Sequence, residues 1–154
     1  TAGIANKIPD AAKEIGTYLA ISLHAPTDDI REMIMPINKK FKIQDLIEQC
    51  KYYSSIVKEK ITLEYVMLKD INDSMKCARQ LIKLMAQFPC KVNLIEFNPW
   101  PGVQYLPTQR DDMEKFGKVI QEAGYVATIR RSRGQDILGA CGQLRTESLK
   151  IKQL

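Results

Sequence analysis

The sequence predicts an α/β fold of about four parallel strands with flanking helices, and three features predict it. Four short apolar or alternating runs alternate with amphipathic stripes of helical period. Cap and turn residues fall between the runs. The 154 residues are 45% hydrophobic and 27% charged, ordinary values for one soluble domain with a core of its own. Strands joined through helices run parallel, with right-handed crossovers. Four strands are too few to close an eight-stranded barrel. An open doubly wound sheet or the second half of a larger open barrel remains, and in both a ligand sits beyond the strands' C-terminal ends.

The first strand is expected over 18–23, because its apolar residues are rich in strand formers. Thr27 then reads as a helix N-cap, with Asp28 and Asp29 in the first turn where the helix dipole favours acids. Ile43, Leu46, Ile47 and Cys50 recur at i, i+3, i+4 and i+7, which places them on one helix face. The second strand is expected over 61–68. Asn72-Asp73-Ser74 precedes a stripe of Cys77, Leu81, Leu84, Met85 and Phe88. A third strand over 92–97 is followed by Thr108 and a stripe of Met113, Phe116, Val119, Ile120 and Ala123. The fourth strand is expected over 126–130. Gly16 and Gly124 stand where a helix C′ glycine is expected before a strand. Nothing in the chain reads as a repeat, a low-complexity tract or a linker.

No apolar run approaches the roughly 20 residues that span a bilayer, and no basic-then-apolar leader opens the chain. The chain starts at Thr1, and Gly3 and Ile4 lead straight into a helix-like stretch, which reads as a cut inside a larger protein. The net charge is +5. Over 129–154, Arg130, Arg131, Arg133, Arg145, Lys150 and Lys152 face only Asp136 and Glu147, so this tail holds +4 of it. Such a patch is the footprint of an anionic partner such as RNA, or else a solvated polar terminus. Cysteines stand at 50, 77, 90 and 141 with no CxxC pair and no nearby histidine, a spacing that fits neither a structural zinc nor a disulfide scaffold. No metal ligands are assigned, and a reducing cytoplasm is expected.

Unusual residues gather at the expected strand ends. His24, the one histidine, lies where the first strand hands over to a loop, as a site residue or as a hydrogen-bonded structural one. Ser22 shares its parity, so both would face one side of an extended strand. Asn98 follows the third strand before Pro99, which biases it toward extended backbone. It either turns the chain or presents a donor and an acceptor to a ligand. Trp100 reads as a half-buried packing residue in preference to a base-stacking one. Glu64 interrupts an apolar strand and either points into a polar lumen with Thr62 or faces solvent at an edge; no catalytic role is assigned to it. Cys50, Cys77 and Cys90 read as core. Cys141 differs, being bracketed by Gly139 and Gly142, with arginines nearby that would favour its thiolate.

The stretches AISLHAPTDDIR, MPINKK, LEYVMLKDINDS, PCKVNLIEFNPWPG, IRRSRG and ACGQL resemble, in this order, the radical S-adenosylmethionine (SAM) enzymes that methylate carbon 2 of adenine in 23S ribosomal RNA and transfer RNA. The resemblance covers 1–144. It implies the C-terminal portion of an open (β/α)6-type partial barrel, with residues 1–154 forming the C-terminal part of a radical SAM methyltransferase domain. By the same resemblance, Ser22, Leu23, His24 and Asn98 bind SAM, and Cys141 carries the methyl group. Leu138 stands where relatives commonly have an acid, and Glu96 where they often have a proline.

The family's [4Fe–4S] cysteines, its RNA-binding N-terminal region, a second essential cysteine and an acidic catalytic residue match nothing in this sequence. The fragment alone is therefore expected to bind no cluster and to be inactive. The implied partners are 23S rRNA and tRNA, with no membrane, and the full-length protein is expected to be monomeric. Carbon 2 of adenine is electron-poor and lacks a lone pair, so polar methyl transfer has no nucleophile there. The family uses a methylated cysteine and radical chemistry instead. A relative that methylates carbon 8, and a non-catalytic RNA-binding α/β module, are the alternatives.

Overall fold

The computed structural model describes residues 1, 8 and 18–130. Strands β1 (Ala20–Ser22), β2 (Ile61–Met67), β3 (Cys90–Glu96) and β4 (Ala127–Arg130) form one sheet. Between them lie α1 (Asp28–Ile34), a 3-10 turn (Pro36–Lys39), α2 (Ile43–Ile56), α3 (Met75–Met85) and α4 (Arg110–Glu122). Every strand pair is parallel, and the spatial order is β1-β2-β3-β4.

That order separates the two architectures the sequence leaves open. A doubly wound sheet reverses its strand order at a switch point. Here each crossover steps one strand in the same direction, and crossovers of one hand then lay their helices on one face. This is the winding of a barrel wall.

Burial agrees with it. Along β2, Ile61, Leu63, Tyr65 and Met67 are buried while Thr62, Glu64 and Val66 are only partly so. The buried set joins Ile21, Val92, Leu94 and Ala127 in one core with Leu46, Ile47 and Cys50 of α2, Cys77 and Leu81 of α3, and Phe116 and Ile120 of α4. Each such aliphatic or aromatic side chain contributes roughly 1.5–3 kcal/mol by leaving water. The opposite face carries Ser22, Glu64, Asn93 and Thr128.

Local chemistry adjusts the expected boundaries. β1 starts at Ala20, and Tyr18 before it projects into solvent, 74% exposed. Thr27 holds the extended N-cap backbone of α1, but its side chain makes no capping bond. Ser74 does cap α3, its hydroxyl accepting from the Cys77 N–H at 3.2 Å. Thr108 is not the cap of α4, which follows Gln109; its hydroxyl donates instead to Asp73 Oδ2 at 3.0 Å. Gly124 follows α4 with φ +89°, the left-handed conformation that glycine adopts most readily. Phe88 lies past the end of α3 yet is buried, whereas Ala123 is exposed. Gly16 lies outside the described residues. Among the described residues no helix is long and apolar enough to cross a membrane.

Candidate functional site

Parallel pairing brings the C-terminal ends of all four strands to one edge, and the end of β1 is the most heavily secured of them. Arg31 on α1 is fully buried. Its Nε donates to the Leu23 carbonyl at 3.0 Å, Nη2 to the Ser22 carbonyl at 3.1 Å, and Nη1 to Asn38 Oδ1 at 2.9 Å. Asn38, also fully buried, donates in turn to Asp28 Oδ1 at 2.8 Å, which accepts the Ile43 N–H at 2.9 Å. Burial pushes the Arg31 pKa down and the Asp28 carboxylate pulls it back up. A planar guanidinium thus reads two successive carbonyls and fixes the path of the strand end.

His24 leaves the strand. Its φ is +57°, so the extended backbone on which a Ser22–His24 alternation depends stops at Ser22. Histidine enters the left-handed region more readily than most residues, but the conformation still needs support. The imidazole Nδ1 accepts the Val66 N–H at 3.1 Å, and the His24 carbonyl accepts Asn72 Nδ2 at 2.8 Å. An accepting Nδ1 places the proton of the neutral ring on Nε2. Desolvation first, then the Arg31 charge, hold the His24 pKa down to about 4, against a smaller upward pull from its backbone bond to Glu64. His24 is therefore a neutral side chain with an Nε2–H to offer.

Asn72 completes the clamp. It is fully buried, gives its amide protons to the His24 and Val66 carbonyls at 2.8 and 2.7 Å, and accepts the Leu68 N–H at 2.7 Å. Its own carbonyl accepts the Tyr65 hydroxyl at 2.7 Å. Leu23, between Ser22 and His24, is fully buried, its N–H donating to the Glu64 carbonyl at 3.0 Å and its carbonyl accepting from Arg31 Nε.

The open face carries a polar row. Register pairs Ser22 with Glu64, Glu64 with Asn93, and Asn93 with Thr128. Asn93 Nδ2 donates to Glu64 Oε2 at 2.9 Å, and the Thr128 hydroxyl donates to Asn93 Oδ1 at 3.1 Å. Of the two sequence readings of Glu64, the lumen-facing one with Thr62 holds. β2 is an inner strand, so Glu64 is not at an edge.

Asn98 is half-buried and follows β3. It lies two strands over from Ser22 and five positions beyond Asn93, the residue in the Ser22 row. Trp100 is 45% exposed and packs edge-on against Phe97 at 5.6 Å between ring centroids, the packing role the sequence favours. Cys50, Cys77 and Cys90 are buried. Burial pushes the Cys50 and Cys90 thiols up to about 12, which keeps them protonated and inert. Cys141, Arg131 and Arg133, with the rest of the basic tail, lie outside the described residues. Sequence reasoning missed Arg31, Asn38 and Asn72. Helical periodicity expects charge to face solvent, and an Asn between two turn residues reads as a turn.

No protein-family profile matches the chain. It is 49% identical along its whole length to the dual-specificity RNA methyltransferase RlmN of Rhizobium meliloti (strain 1021), of which it covers 38%. RlmN of Rhizobium leguminosarum bv. trifolii (strain WSM2304) is 50% identical over 99% of the chain, again with 38% of the relative covered. A radical SAM methyltransferase from Sphaerobacter thermophilus has a crystal structure matching this one with TM-score 0.89 and 38% identity, over 93% of this chain and 42% of that one. A domain of a pyruvate-formate lyase-activating enzyme from Bacteroides vulgatus ATCC 8482 shares the fold alone, with TM-score 0.65 and 10% identity over 83% of this chain and 75% of that one. The chain spans about two fifths of the length of the curated relatives it matches. Along its whole length, the chain is thus similar to part of proteins named as dual-specificity RNA methyltransferases, and its fold matches part of a radical SAM methyltransferase.

Proposed function

We propose that residues 1–154 form the C-terminal part of a radical SAM methyltransferase domain whose whole protein methylates carbon 2 of adenine in 23S rRNA and tRNA. The methyl group passes by way of Cys141. The observation that carries this reading is the 49% identity to a dual-specificity RNA methyltransferase along the entire chain. The strand-end geometry supports it.

SAM is a polar ligand with donors and acceptors along its length, and the residues present suit it. Ser22 offers a hydroxyl on the open face, His24 a neutral Nε2–H, and Asn98 an amide with both donor and acceptor, while the buried Leu23 holds the segment's backbone in place between them. When bound, SAM supplies the methyl carbon and the radical chemistry of the reaction. The chain's own part is to hold that ligand against the strand ends and to present the Cys141 thiolate as the methyl carrier, a covalent role. Arg130, Arg131 and Arg133 would position RNA by its phosphates, and a paired target base would have to leave its stack. Among the described residues no group of three His, Cys, Asp or Glu side chains could hold a metal ion. The described residues therefore do not fit a [4Fe–4S] cluster, whose ligands belong to the remainder of the full-length protein. The site of action is the cytoplasm, and the full-length protein acts as a monomer.

The test is anaerobic reconstitution of the full-length protein with SAM and RNA, followed by mass spectrometry of nucleosides and peptides. The expected products are 2-methyladenosine and a methylated Cys141 peptide, with both lost in Cys141→Ala. Formation of 8-methyladenosine would replace carbon 2 by carbon 8. RNA binding without methylation would leave a non-catalytic module.

A further inference from the structure

We propose that Glu64 is a cofactor-binding residue whose carboxylate faces the positively charged sulfonium of SAM beside Ser22. This rests on the reading of Ser22–His24 as the SAM segment and adds to it a charged contact on the neighbouring strand.

The polar row builds the contact. The Thr128 hydroxyl donates to Asn93 Oδ1 at 3.1 Å, which fixes the amide with its nitrogen toward Glu64. That nitrogen donates to Glu64 Oε2 at 2.9 Å. One carboxylate oxygen is thereby held, and among the described residues no protein donor claims the other. Nor, among the described residues, does a cation pair with the group. Lys91, on the same face, is in register with Thr62, and Arg130 lies one row further on, opposite Ile95; neither pairs with Glu64. The position is also well placed, because Glu64 is the register partner of Ser22, one strand spacing of about 4.8 Å away. A cationic ligand lying along Ser22 comes within reach of that free oxygen. A carboxylate there would favour a sulfonium over the neutral thioether of the same shape.

The experiment measures equilibrium binding of SAM and of S-adenosylhomocysteine to the full-length, anaerobically reconstituted protein and its Glu64→Gln and Glu64→Asp variants. Glutamine keeps an acceptor for Asn93 and replaces the charged free oxygen with a neutral amide NH2. In Glu64→Gln, SAM affinity should fall on the order of tenfold, the loss of a charge–charge attraction at a partly exposed site, while S-adenosylhomocysteine affinity stays within about twofold. Glu64→Asp should keep a SAM preference above that of Glu64→Gln and provides the comparison if the glutamine variant misfolds. Equal losses for both ligands, or none for either, would overturn the charge contact while leaving the SAM segment intact. A wild-type protein that binds neither ligand would overturn the SAM segment itself, and Glu64's role with it.

Discussion

Replacing Arg31 with methionine tests what holds the end of β1. Methionine fills much of the same volume but removes a buried guanidinium that donates to the Ser22 and Leu23 carbonyls and to Asn38 Oδ1 at 3.1, 3.0 and 2.9 Å. Neutral hydrogen bonds contribute about 1 kcal/mol each, and those to a charged group about 1.5–3 kcal/mol. Removing one partner of a buried charged network costs about 3–5 kcal/mol, because groups organised around the charge lose it together. A loss of about 3–5 kcal/mol is therefore expected, a large fraction of a domain's usual 5–15 kcal/mol. Urea unfolding followed by circular dichroism reads it as a lower midpoint at unchanged slope. Arg31→Lys keeps the charge but not the planar fork, and should recover less than half of the loss. A methionine variant within about 1 kcal/mol of wild type would show that the strand end is held by its ladder bonds and not by Arg31.

Other perturbations separate the remaining contacts. The neutral His24, with its pKa held near 4 against about 6.5 unfolded, binds fewer protons folded than unfolded between those values. Its contribution is thus complete above pH 6.5 and is lost as the pH falls toward 4, by roughly 3 kcal/mol at most. Urea midpoints at pH 7 and pH 5 should show the slope, and His24→Gln should flatten it. Asn72→Ala removes bonds to Leu68, His24 and Val66 at 2.7–2.8 Å and should cost about 2–4 kcal/mol in the same assay. Ser74→Ala should cost about 1 kcal/mol. Thr27→Ala should change stability by less than about 0.5 kcal/mol, since the Thr27 side chain, unlike that of Ser74, makes no capping bond.

Most of the sheet was legible because strand alternation is a local property. The buried and half-buried positions of β2 and β3 repeat every second residue, and the three helix stripes point into one core. Where the chain leaves regular dihedrals, that legibility ends. The parity shared by Ser22 and His24 has no meaning once His24 adopts φ +57°. Thr108 has the composition of a cap, yet spends its hydroxyl on Asp73.

From its residues alone, this protein's class of fold, its core positions and the strand ends that matter were already determined, since each depends on neighbours within a few positions along the chain. Tertiary structure alone decided the strand order that makes the sheet a barrel wall. It also decided the burial of Arg31 under the end of β1 and the alignment of Ser22, Glu64, Asn93 and Thr128 across four strands. The strand order and the polar row join residues dozens of positions apart, and the Arg31 bonds, though to residues eight and nine positions away, need α1 to fold back under the strand end; register between strands is fixed by packing and crossover geometry that no local pattern encodes.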